Sequence, residues 1–145
     1  EYAEVGYQLE GSSSLDLNFD SSLQVDLRLE NDGNIGAVPI SKIYALNATI
    51  IRVSISGVAD YQLSKYCTFN ENMVTISNLT IPKGRPLSVW ATVYVVPNEG
   101  ITSFTIYAHV ELWGDWLHPR NSVTSILPTE LVYNRTSTHR YELLT

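Results

Sequence analysis

Two strict period-two runs constrain what this chain can fold into. Leu87, Val89, Ala91, Val93 and Val95 are apolar at odd positions, and after Pro97-Asn98-Glu99-Gly100 the even positions Phe104, Ile106, Ala108, Val110 and Leu112 take over. In an extended chain successive side chains point to opposite faces, so each run describes a strand with one buried face. A break bearing Pro and Gly between two such runs reads as a β-hairpin. With a four-residue loop, Val96 faces Ile101, Val93 lies opposite Phe104, Ala91 opposite Ile106, and Trp90 opposite Tyr107 on the outer side.

The rest of the chain repeats the pattern. Residues 2–9 place Ala3, Val5, Tyr7 and Leu9 on one side and Glu4, Gly6 and Gln8 on the other. Gly11-Ser12-Ser13-Ser14 follows as a flexible joint. Alternation resumes at Leu15, Leu17 and Phe19, pauses at Asp20-Ser21-Ser22, and runs from Leu23 to Leu29 before the turn Asn31-Asp32-Gly33-Asn34. Lys42–Ile55 reads as one strand whose apolar phase switches, as a bulge near Ala48–Ile50 would cause. Tyr61–Phe69 and Met73–Leu79 read as further strands, Glu130–Tyr133 and Arg140–Leu144 as short ones, and Trp113–Pro119 as a loop. No segment carries a helical apolar stripe. About nine strands and no helix predict an all-β, immunoglobulin-like β-sandwich of 7–9 strands over residues 15–145, with residues 1–10 as an N-terminal extension strand and 11–14 as the joint.

Composition narrows the function classes. A net charge of −6 with only nine scattered basic residues disfavours nucleic acid and anionic membrane as partners. No run approaches the length of a membrane helix. One cysteine, Cys67, excludes an intrachain disulfide and reads as a small buried hydrophobe. Only 17% of residues are charged, and the polar, uncharged remainder suits an exported protein. Asn47, Asn78 and Asn134 open Asn-x-Ser/Thr sequons and are candidate glycosylation sites. No catalytic constellation, metal-ligand spacing or cofactor motif is present; His109, His118 and His139 have no neighbouring residues that suggest a triad. Lys65, in phase with the apolar side of its strand, reads as a packed stem with an outward ammonium.

Three features are candidates for function. The row Ala3, Val5, Tyr7 and Leu9 is the candidate subunit interface: residues 1–10 extended span ~33 Å, enough to cross a neighbouring sheet. Trp90, Tyr94, Tyr107 and His109 share the outer face of the expected hairpin. Trp113, Asp115 and Trp116 place two aromatics around an acid on one loop, as a sugar-stacking site requires.

Two resemblances bear on these features. The run Leu23-Gln24-Val25-Asp26-Leu27-Arg28-Leu29-Glu30-Asn31-Asp32-Gly33-Asn34, followed by Asn78-Leu79-Thr80-Ile81-Pro82-Lys83-Gly84 and the two long runs, resembles the immunoglobulin-like modules common in prokaryotic surface proteins. An alternating terminal strand, a Gly/Ser joint and then a sandwich is similar in layout to filament subunits assembled by donor-strand complementation, including archaeal thread pilins. That layout implies a structural subunit of an extracellular pilus, polymerised head to tail with copies of itself and serving adhesion. The chain departs from it where C-terminal segments can supply the last strand in cis. The other expectation is a monomeric surface or pseudoperiplasmic binding module, similar to archaellum-stator domains or to carbohydrate-binding domains.

Overall fold

Breaks in the alternation decide where this chain changes sheet. The computed structural model describes residues 1–84, 87–113 and 117–145. Their strands are β1 (Glu4–Gly11), β2 (Ser14–Asp16), β3 (Leu23–Asn31), β4 (Ile40–Leu46), β5 (Ala48–Ile55), β6 (Cys67–Phe69), β7 (Met73–Ile76), β8 (Val89–Pro97), β9 (Ser103–Glu111), β10 (Ser122–Ser125), β11 (Glu130–Ser137) and β12 (Arg140–Leu143). One sheet runs β10-β1-β3-β8-β5 and the other β2-β12-β11-β9-β4-β7-β6. The core lies between them, filled by the alternate side chains of each strand: Val5, Leu9, Val25, Leu27, Leu29, Ala91, Val93 and Val95 from the first sheet, Ile43, Val74, Ile76, Phe104, Ile106 and Tyr133 from the second. The all-β sandwich expected from the alternation is the architecture observed.

The expected hairpin is not a hairpin. β8 pairs with β3 and β5, so that Val93 lies opposite Val25 and Val53. β9 pairs with β4 and β11, so that Phe104 lies opposite Tyr133. The segment after Pro97 is a corner between sheets, held by Asn98 N donating to Asn47 O at 2.9 Å, with Gly100 at φ +79. Period two tells which face of a strand is buried and is silent on which strand lies beside it. Two strands that face one another across a core need the same alternation as two that pair.

The phase switch within Lys42–Ile55 has two causes. The chain leaves one sheet for the other at Asn47, whose φ of +63 makes the corner. A register slip between Ile50 and Arg52 then shifts the buried row from Ala48 and Ile50 to Val53 and Ile55. Tyr44 and Leu46, read as part of an apolar row, point outward, while Ser41, Ile43 and Ala45 face the core.

Three shorter readings also change. Asp60–Lys65 is a 3₁₀ helix; Tyr61 is exposed there and Lys65 is exposed in its last turn rather than on an apolar strand face. Only Cys67–Phe69 of that stretch pairs, and Cys67 is buried as expected, with burial pushing its thiol pKa up. After Asp16 the chain turns, leaving Phe19 86% exposed where a strand was expected. Ser122–Ser125, without a sequence signal, forms β10 along the free side of β1.

Candidate functional site

The terminal strand sits in its own sandwich. β1 pairs antiparallel with β3 from Val5↔Asn31 to Gly11↔Val25, and parallel with β10 from Glu4↔Ser122 to Tyr7↔Ser125. Ala3, Val5, Tyr7 and Leu9 are all buried in the core of this same chain. Two turns grip the strand's start. On one side Asn31 Oδ1 accepts from Glu4 N at 3.1 Å, and Asn34 Oδ1 accepts from Tyr2 N at 2.8 Å. On the other, Asn121 Oδ1 accepts from Ala3 N at 2.8 Å and Ser122 N donates to Ala3 O at 3.0 Å. Gly33 permits this approach, since a Cβ there would lie 2.3 Å from Tyr2 O and 2.6 Å from Ala3 Cα.

The Gly11–Ser14 segment, expected to be a flexible joint, crosses from β1 to β2 between the sheets, with exposed Ser12 and Ser13 each tied by one hydrogen bond to the backbone carbonyl. The Tyr133 hydroxyl donates to Ser12 O at 2.7 Å and Leu143 N to Ser13 O at 2.8 Å. A side chain at Gly11 would meet Tyr133 Oη at 2.6 Å.

The candidate aromatics separate. Trp90 lies opposite Arg28 and Tyr94 opposite Gln24 on the outer face of the five-stranded sheet. Tyr107 lies opposite Tyr44 on the outer face of the seven-stranded sheet, its ring stacked on that of Tyr44 at 4.6 Å, and His109 is on the same face beside Lys42. Trp90 and Tyr107 are therefore on opposite sides of the molecule. Trp113 is 74% exposed at the end of β9; Asp115 and Trp116 lie outside the described residues. The sequon residues Asn47, Asn78 and Asn134 are all exposed, the first two at positive φ.

A site that the sequence reading missed forms around Tyr94. A cleft of about 360 Å³ is lined by Glu10, Gly11, Ser12, Gln24 and Asp26. It adjoins a second of about 250 Å³ that shares Ser12 and Gln24 and adds Ser14, Asp20, Ser22 and Tyr94, with Leu15 and Leu23 at its floor. The register explains the assembly: Glu10 is opposite Asp26, Asp26 opposite Thr92, and Gln24 opposite Tyr94, so these side chains share one outer face. Several are oriented. Asp26 Oδ1 accepts from Thr92 Oγ1 at 2.6 Å and from Gln24 Nε2 at 3.3 Å, and Arg52 lies 5.2 Å from the centre of the Tyr94 ring. The groove therefore offers carboxylate, amide and hydroxyl groups beside an aromatic ring, with Asp26 oriented by Thr92 and Gln24. Such a set has the donors and acceptors that a polyhydroxylated ligand would need, because each sugar hydroxyl can both donate and accept. Among the described residues no group of three or more His, Cys, Asp and Glu is placed to hold a metal ion. The available signal was two Ser/Asp-rich breaks, Gly11–Ser14 and Asp20–Ser22; only folding brings them together.

No protein-family model and no curated protein matches the sequence. Solved structures are similar in fold. The collagen-binding domain of the Erysipelothrix rhusiopathiae surface protein RspB aligns at a TM-score of 0.50 and 12% identity, covering 95% of this chain and 44% of that one. The Streptococcus suis adhesion protein Fhb, bound to the disaccharide receptor Gb2, aligns at 0.46 and 10% identity, covering 97% and 87%. The collagen-binding domain of a Staphylococcus aureus adhesin aligns at 0.44 and 13% identity, covering 73% and 84%. Of these only the RspB alignment reaches a TM-score of 0.50, and at 12% identity it bears on the fold alone; with the sheet order above, the chain is an immunoglobulin-like β-sandwich.

Proposed function

We propose that this chain is an extracellular, surface-associated binding module whose ligand is a carbohydrate. Fold does not assign the ligand; the observation that carries the reading is the polar groove beside Tyr94, where Asp26 is pre-oriented by Thr92 and Gln24. Pre-orientation matters because ordering side chains on binding costs affinity. The exposed sequons and the low charge support an exported setting. The test is titration calorimetry against a panel of neutral oligosaccharides. Binding should be weakened at least tenfold by Tyr94→Ala and by Asp26→Asn, each checked for unchanged fold by circular dichroism. Unaltered affinity in both variants refutes the groove as the site.

The head-to-tail filament remains a second reading, favoured by one observation: a terminal strand with four buried apolar side chains would, if exchanged, vacate a matching slot between β3 and β10. Its place in the single chain supports the module first. Negative-stain electron microscopy of the native protein distinguishes the two. Thin fibres that vanish when residues 1–10 are deleted support strand donation, and monodisperse particles at all concentrations refute it.

A further inference from the structure

We infer a second carbohydrate site on the opposite side of the molecule, in the cleft beside the stacked Tyr107; this rests on the carbohydrate reading above. On the outer face of the seven-stranded sheet, Leu46, Tyr107, Ala108, Thr129 and Glu130 line a cleft of about 310 Å³. It opens where β11 begins: Glu130 is opposite Tyr107, and the preceding Thr129 accepts a hydrogen bond from Ala108 N at 3.0 Å. Tyr44 and Tyr107 lie in direct register, stack at 4.6 Å and are 12° from parallel. Stacking on Tyr44 orders the Tyr107 ring, which lines the cleft together with exposed Leu46. Glu130, exposed, provides a carboxylate at the rim.

The occupant follows from what this surface can and cannot offer. The cleft lies in the interior of a sheet, where β9 is paired on both sides by β4 and β11. The backbone groups of β9 are committed to the ladder on both sides, so an extended peptide cannot pair with the strand beneath the cleft. The ligand must be held by side chains alone, one apolar aromatic wall and one polar rim. A sugar ring has the matching asymmetry: a C–H face to lie on Tyr107 and hydroxyls to reach Glu130 and Thr129. A carboxylate in the cleft and a net charge of −6 disfavour acidic polysaccharides and leave neutral glycans. With the Tyr94 groove on the other outer face, one module has the geometry to hold two glycan strands at once, which raises avidity without new contacts.

Backbone amide NMR titration of the full chain separates the two sites. The probes are cellohexaose, maltohexaose, xylohexaose and chitohexaose, with polygalacturonate as the acidic control. A neutral probe should shift two independent sets of amides, one around Gln24, Asp26 and Tyr94 and one around Leu46, Tyr107 and Glu130. Glu130→Gln, an exposed and isosteric change that spares the fold, should weaken the second set at least tenfold and leave the first unaltered. If only the first set moves, the second site is wrong and the proposed function stands. If only the second set moves, the second site stands and the groove is wrong. If neither moves with any neutral probe, both fall, and a second set that responds to polygalacturonate alone overturns the ligand class.

Discussion

Asn31 shows how one buried polar side chain ties distant segments together. It is fully buried, yet each of its polar atoms is used: Oδ1 accepts from Glu4 N and Gly33 N, and Nδ2 donates to Ile35 O at 2.7 Å and Ile81 O at 3.2 Å. Burial of an amide without such partners would cost several kcal/mol. Ser41 is the contrast, a core-facing hydroxyl at 1% exposure with no partner among the described residues. Tyr133 carries a testable consequence. It is buried against Phe104, its ring 5.0 Å away, and burial pushes its phenol pKa up to about 12 from about 10 in an unfolded chain. Between those values the unfolded chain releases a proton that the native state keeps, so stability falls as pH rises, by about 1 kcal/mol per pH unit. Urea unfolding at pH 9 and pH 11 should therefore show a loss in the parent protein about 1 to 2 kcal/mol larger than in Tyr133→Phe. An equal loss would show that the native phenol ionises freely. That Glu130–Tyr133 would form a strand was readable from the sequence. That the Tyr133 hydroxyl would hold the β1–β2 crossover was not, because residues 12 and 133 meet only in the fold.

At the scale of elements, β1 is the strand whose environment matters most. Its long pairing is with β3, and its other edge is covered by β10, four residues long and largely exposed. The start of β1 depends on the Asn31–Asn34 turn, which the sequence marks as a turn and the structure reveals as a backbone cradle. Gly33→Val should force residues 2–4 away from that turn, because the clashing atoms are backbone and cannot rotate aside. We expect a loss of about 2 kcal/mol, in the range of overpacking substitutions. Hydrogen exchange should quicken at Ala3 and Glu4 while the amides of central strand β8 keep their protection. Undisturbed exchange at Ala3 and Glu4 would mean that the cradle does not hold the strand. The other elements show why local pattern misassigns neighbours. Lys42–Ile55 has strand composition throughout, but an αL residue at Asn47 turns it into two strands of different sheets. Tyr61 and Leu63 alternate like strand residues, yet they sit in a 3₁₀ helix with Tyr61 in solvent.

For the whole molecule, the two clefts proposed as binding surfaces are both composites. The groove joins β1, β3, β8 and the turn after β2, and the opposite cleft joins β4, β9 and β11. No local motif encodes either one, so the sequence reading gave Gln24 and Asp26 no role, and reading β8 and β9 as one hairpin put Trp90 and Tyr107 on one face. The sequence by itself determined that the protein is all-β, which side of β1, β3, β8 and β9 is buried, and that the chain breaks at Asn31–Asn34 and Pro97–Gly100. Those properties are written locally, in period-two burial and in the backbone preferences of Gly, Asn and Pro. Only the tertiary structure decided which strands are neighbours, that β8 and β9 belong to different sheets, and that β1 is seated between β3 and β10. The physical reason is that alternation encodes a face and not a partner: any two strands with one apolar side satisfy the core equally well, and hydrogen bonding and packing over the whole chain select between them.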